Sequence, residues 1–267
     1  MASGRIVVGV GGWTFEPWRG TFYPNGLKKD AELAYMAERL TAIEINGTFY
    51  RGQKPETFRK WADAAPDGFR FSMKASRFTT SRKVLAEGAE SIEKFWATKP
   101  TAMGDKLGPI LWQLPATKRF DKDDIASFLK LLPAEVDGVK LRHVIEAGHE
   151  SFADPAFIEL LGNAGAQVAQ VILDDPDHPT LADVTADFVY LRLERSRDAI
   201  ETGYPEDELD VWAERLKTYA AGGVPKDMST LTARAPENKP RDVFCFFISG
   251  AKVRNPAAAM ALIERLR

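Results

Sequence analysis

Short apolar runs in this chain end repeatedly on a charged or amide side chain, and those endings carry the groups equipped for chemistry. Glu44, Lys74, Gln113, Glu146, Asp174 and Arg192 lie at the ends of such runs, and Asn46, Thr48, Tyr50 and His149 follow closely. A charge held in the register of a buried run needs a partner or a ligand, because an isolated one is strongly penalised. Two readings follow. In one, Glu44, Glu146 and Asp174 pair with Lys74 and Arg192 and form only a salt-bridged plug. In the other, the carboxylates of Glu44, Glu146 and Asp174 act as acid, base or metal ligand. Lys74 and Arg192 then clamp an anion, with Asn46 and Gln113 as orienting amides. His143 and His149 stand six apart, and His178 sits in a proline-bounded loop, which argues against a three-histidine zinc site. A mixed site of Glu146, His149 and Asp174 stays open, so the metal and the cofactor are left unassigned.

The elements that must position these residues read as strands alternating with helices. Strands are expected at Ile6–Val10, Ala42–Ile45, Gly68–Met73, Ile110–Gln113, Val139–Ile145, Gln167–Leu173, Phe188–Leu193 and Val243–Ile248. Several are dense in Val, Ile and Phe without polar alternation, the pattern of parallel strands buried on both faces. Helices are expected between them. Their start signals are Asp30, Pro55, Ser91, Asp121, Asp154-Pro155, Glu206 and Asn255-Pro256. Only the connection from Asp174 to Asp187 lacks a convincing helix. Eight strands in 267 residues give one unit per roughly 33, which predicts an α/β fold: a single (β/α)8 TIM-like barrel over residues 1–267.

Composition narrows the function classes. The balance of 45% hydrophobic and 28% charged residues is that of a globular chain, and no apolar run is long enough to span a bilayer. The 36 basic against 38 acidic residues give −2, so no global basic field draws the chain to nucleic acid. Cys245 is the single cysteine, which leaves no internal disulfide partner. The start MASGRIVVGVGG has none of the features of a cleaved leader, and a cytoplasmic protein is expected. No nucleophile elbow, Walker loop or His-Glu-x-x-His motif occurs.

Three further features bear on the ligand. Ser249-Gly250 followed by Asn255-Pro256 puts small residues and a helix start after the eighth strand, where barrels commonly hold phosphate. A plain turn and cap account for the same residues. Trp13, Phe15, Trp18, Phe22 and Tyr23 crowd the loop after the first strand, most of them as packing, with one or two left to stack on a sugar or base. The cations Arg51, Arg77, Arg82, Lys83, Arg195, Arg197 and Lys252 fall on the same predicted rim. The first hypothesis is therefore an anionic, phosphate-bearing small molecule with phosphoester or sugar-phosphate chemistry. The alternative is nucleic-acid or nucleotide binding without catalysis.

The same residues carry a family resemblance. GVGGWTFEPWRGTFYP from Gly9, IEINGTFYR from Ile43, FRFSMKASRFTT from Phe69 and DKLGPILWQLP from Asp105 resemble segments of the domain-of-unknown-function family 72, the YecE-like proteins. IEAGHESF from Ile145 and DFVYLRLE from Asp187 continue the likeness in family order. The resemblance implies a TIM-like barrel and no established activity. Its rim pattern falls on Trp13, Glu44, Asn46, Thr48, Tyr50, Lys74, Gln113, Glu146, His149, Asp174 and Arg192. Three positions depart from it. Gly148 stands before His149 where the family usually has Arg, and Ser81 follows Thr80 where it has His. Glu194 stands where the family has the His of Arg-Leu-His-Gly. These departures imply an altered substrate, a site rebuilt with Arg195 and Arg197, or a degenerate, non-catalytic member.

Overall fold

The apolar runs fold as strands because each is covered on one side by the barrel interior and on the other by helices. The computed structural model describes residues 3–164, 167–175, 177, 181–233 and 238–267. Among them eight parallel strands close into a barrel. They are β1 (Ile6–Gly11), β2 (Ala42–Ile45), β3 (Arg70–Lys74), β4 (Leu107–Gln113), β7 (Arg142–Glu146), β8 (Gln167–Asp174), β9 (Phe188–Leu193) and β10 (Asp242–Phe247). Closure comes from β1, which pairs with β2 through Val10 and Ile43 and with β10 through Val10 and Phe247.

One expected strand is split. Instead of running from Val139 to Ile145, the chain forms a hairpin of β5 (Glu135–Val136) and β6 (Val139–Lys140) before β7. Asp137 and Gly138 make its two-residue turn, with φ of 51° and 78°. That geometry is the one an Asp-Gly pair favours.

The two-residue period of the strands sorts the side chains. Val7, Ala42, Leu111, Val144, Ala169, Val171, Phe188, Tyr190, Phe244 and Phe246 fill the barrel interior. One step further along the same faces come Glu44, Lys74, Gln113, Glu146 and Arg192, at the carboxyl ends of the strands. The opposite faces, with Cys245 buried among them, pack under the helices.

Those helices are α1 (Glu32–Ala37), α2 (Pro55–Asp63), α3 (Arg77–Thr80), α4 (Ala89–Ala97), α5 (Lys122–Leu131), α6 (Pro155–Gly162), α7 (Glu206–Ala220) and α8 (Asn255–Leu266). Asp121 and Asp154 cap as expected, accepting from the N–H groups of Asp123 and Asp124 and of Ala156. Asp30 does not cap α1, because a 3-10 turn, Lys29–Ala31, precedes that helix and contains it. Ser91 lies inside α4, where its hydroxyl donates to the Gly88 carbonyl and accepts from Thr79. Between Asp174 and Asp187 the described residues form no helix, and His178 falls outside them. No helix of the described residues is long and apolar enough to cross a membrane.

His143 shows what the outer layer asks of a polar side chain. Its Nε2–H donates to the Pro133 carbonyl at 2.7 Å, and its Nδ1 accepts from Trp112 Nε1–H at 3.1 Å, which fixes a neutral ring. Burial pushes its pKa down to about 4, with the Pro133 carbonyl opposing. In the unfolded chain the ring takes a proton below about 6.5. Between these values the unfolded state holds the extra proton, so stability falls as pH falls from about 6.5 to 4. The loss from this ring is roughly 3 kcal/mol. Urea unfolding across that range will show it, and His143→Asn will flatten the dependence.

Candidate functional site

The site is built around one guanidinium. Arg192 enters from β9 and is buried at the top of the barrel interior. Its Nη1 lies 2.7 Å from Glu146 and 3.1 Å from Glu194, and its Nε and Nη2 lie 3.3 and 3.4 Å from Glu44. The Nε–H is angled off a true hydrogen bond with Glu44. Burial opposes the charge, but the carboxylates of Glu146, Glu44 and Glu194 outweigh it and push the pKa up.

Beneath the guanidinium, Glu44 is completely buried and accepts from the Tyr190 hydroxyl at 2.8 Å. The Ser72 hydroxyl stands 2.7 Å from that of Tyr190 and 2.8 Å from the Pro109 carbonyl. Glu44 is thus a floor for the site. Beside it, Gln113 on β4 donates from Nε2 to Glu146 across the β4–β7 pairing.

Above this floor opens a cavity of about 560 Å³. Asn46, Tyr50, Lys74, Gln113, Glu146 and Arg192 line it, with Gly148, Asp175, Glu194, Ser249, Lys252 and Asn255. Lys74 reaches in from β3, and its Nζ lies 4.4 Å from the centre of the Phe49 ring. Among the described residues it makes no salt bridge and no side-chain hydrogen bond. Burial and then Arg192 lower its pKa, against the pull of Glu44, Glu146 and Glu194. Lys252 is similar: its Nζ sits 4.6 Å from the Phe15 ring centre and 5.7 Å from that of Trp18, and burial lowers its pKa. Most of the aromatic loop packs, as expected; buried Trp18 donates to the Lys252 carbonyl and ties that loop to the one after β10.

Glu194 has a strongly altered acidity. Burial raises its pKa to about 7; Glu146, Asp175 and Glu44 add to that, and Arg192 opposes.

Not every expected residue joins the cavity. Asp174 falls on the outward face of β8 and pairs with Arg195 at 2.8 Å, while its neighbour Asp175 lines the cavity. Burial raises the pKa of Asp174, and Arg195 opposes. His149 turns away to accept from the Ser151 N–H at the start of a 3-10 turn. The mixed site of Glu146, His149 and Asp174 is therefore not assembled, and no three His, Cys, Asp or Glu among the described residues stand together as metal ligands. Trp13 packs edge-on against Trp61, and its carbonyl accepts from Tyr23. Thr48 donates to the Lys74 carbonyl at 2.7 Å and so anchors the loop after β2 beside that lysine.

The loop after β10 also differs from expectation. Asn255 is the first residue of α8, not its cap: its amide donates to the Phe247 and Ser249 carbonyls and accepts from Ser196. Gly250 has φ of 54°, and a Cβ there would stand 2.6 Å from Ser196 Oγ and 2.8 Å from the Glu194 carbonyl. Its absence lets this loop close against the end of β9.

Sequence reasoning named Glu194 only as a departure and passed over Tyr190 and Ser72. The period of β9 could have found two of them, because Tyr190, Arg192 and Glu194 share one face.

A closed parallel barrel with its ionisable side chains gathered at the carboxyl ends of the strands defines a TIM-type (β/α)8 protein. The chain belongs to the family described as Protein of unknown function DUF72, which matches residues 7–267. It is 28% identical over 142 residues to the UPF0759 protein YecE of Escherichia coli (strain K12), covering 52% of this chain and 48% of that one. The match thus spans about half the length of that curated relative. A DUF72 family protein from Thermotoga maritima MSB8 has the same fold, with a TM-score of 0.75 at 22% identity, covering 98% of this chain and 99% of that one. One from Enterococcus faecalis V583 gives 0.73 at 19% identity, covering 98% and 95%. The barrel and the family expected from the sequence are both borne out.

Proposed function

We propose that the cavity binds a small anionic molecule of the phosphate-bearing class and that Glu146 and Glu194 carry out acid–base chemistry on it, as in the turnover of a sugar phosphate. One observation carries the reading: the ammonium of Lys74 faces the cavity without an ion-pair partner among the described residues. A partly desolvated cation in that position favours an incoming anion. Lys252 adds a second positive group on the same cavity. Arg192 has another task. Its guanidinium is occupied by three carboxylates, so it positions Glu146 and Glu194 and is not the clamp itself.

Glu146 is held on both sides, by Gln113 and Arg192, which fixes its direction toward the cavity. Glu194 exchanges its proton near neutrality, the range in which a general acid or base works best. A cavity of about 560 Å³ is within the usual size of small-molecule sites. The test is a thermal-shift screen of sugar phosphates against the same sugars without phosphate. The phosphorylated set is expected to raise the melting point, because a ligand bound only by the folded state stabilises it. Equal shifts from both sets would sink the reading.

The second reading, a nucleic-acid surface, has one observation in its favour. Tyr50 and Phe78 are each 63% exposed, and the Arg77 guanidinium lies 5.9 and 5.5 Å from their ring centres. Against it, Arg195 and Arg197 are already paired with Asp174 and Glu208. On this reading single-stranded DNA binds with an affinity that falls steeply as salt rises. Binding insensitive to salt, measured by fluorescence anisotropy, would rule it out.

A further inference from the structure

We infer that Glu194 makes the cavity selective for an oxyanion that still carries an O–H, hydrogen phosphate or the singly ionised form of a phosphomonoester, over a fully ionised one such as sulfate. The inference rests on the anion-binding reading above and names the protonation state of the ligand it takes.

The geometry that carries it is the sharing of one nitrogen. Arg192 Nη1 serves Glu146 at 2.7 Å and Glu194 at 3.1 Å, while the rest of the guanidinium faces Glu44. Glu194 meets Arg192 as an ion pair through Oε1, its carboxylate accepts no hydrogen bond among the described residues, and the side chain borders the cavity. The carboxylate thus keeps acceptor capacity in a site that also contains Lys74 and Lys252. An ionised carboxylate accepts and cannot donate. Sulfate also only accepts, so the two repel; a hydrogen phosphate gives its O–H to the carboxylate and keeps its charge for the lysines. A site built around such a pairing rejects the analogue that lacks the O–H, because a polar group is then left unmatched.

The groups facing Glu194 set the pH range. Arg192 stands on β9, just before Glu194, with Glu146 on β7, Glu44 on β2, Lys74 on β3 and Asp175 just after β8. Burial foremost, reinforced by the three carboxylates, places its proton exchange at about 7. Above that pH the group accepts only and selectivity is full. Below it the carboxylic acid itself donates, sulfate becomes acceptable, and the preference fades.

The experiment is calorimetric titration of inorganic phosphate and of sulfate at constant ionic strength, at pH 8 and pH 6, with the native protein and with Glu194→Gln. At pH 8 the native protein should prefer phosphate by about tenfold or more, and at pH 6 by less. Glu194→Gln, whose amide donates to either anion, should bring the two within about threefold at both pH values. Glu194→Asp keeps the acceptor and should keep the preference. Equal binding of both anions by the native protein, or a preference that survives in Glu194→Gln, overturns the inference and leaves the anion site standing. If neither anion binds the native protein, the anion-binding reading falls, and this inference with it.

Discussion

Replacing Arg192 with methionine will destabilise the fold by about 3–5 kcal/mol, the cost of stranding buried charges when one partner of an ion pair is removed. The size follows from what the guanidinium neutralises. Glu44 is completely buried, and Glu146 and Glu194 are nearly so. Without Arg192 these carboxylates face one another in the barrel mouth, with Lys74 as a nearby cation that offsets them only in part. They relieve the strain by taking up protons, so the variant's deficit will shrink as pH is lowered toward 5. Urea unfolding of the native and variant proteins at pH 7 and pH 5 measures both effects. Arg192→Lys, which keeps one charge but loses the fork that spans several carboxylates, should fall between them and serves if the methionine variant does not fold. A loss below about 1 kcal/mol at pH 7 would show that the cluster is not the buried network described.

Lys74→Met will do the reverse, leaving the fold nearly untouched and removing the binding. The ammonium has no ion pair or side-chain hydrogen bond among the described residues, and burial already disfavours its charge. Methionine occupies a similar volume beside the Phe49 ring, so stability should change by less than about 1 kcal/mol. A hydrogen bond between a charged lysine and an anion is worth about 1.5–3 kcal/mol, so affinity for a phosphate ester should fall roughly 10- to 150-fold. Calorimetry on the native and variant proteins reads this directly. An unchanged affinity with an intact fold would mean that Lys74 does not touch the ligand.

The residues that were legible in the sequence are those whose signal is local and periodic. The Val-, Ile- and Phe-rich runs could be read as doubly covered strands, and their polar ends marked Glu44, Lys74, Gln113, Glu146 and Arg192 as rim residues. Asp121 and Asp154 could be read because a cap contacts only the next turn. Asn255 and Ser91 carry the same local signal, but distant partners claim their side chains: Ser196 for one, Thr79 for the other. Asp174 shows the limit of reading by strand end alone. One residue's shift in a strand changes the face, so Asp174 meets Arg195 outside while Asp175 lines the cavity. The pairing of Glu44 and Glu146 with Arg192 was one of the two readings of the strand ends, but the third carboxylate, Glu194, was not part of it, since it lies one residue past the end of β9.

The most direct test of the central claim is to locate the ligand. A crystal of the protein soaked with a sugar phosphate that shifts its melting point should show the phosphate within hydrogen-bond distance of Lys74 Nζ, above Arg192 and beside Glu194. Density for the phosphate on the outer surface, with the cavity filled only by water, would contradict the account.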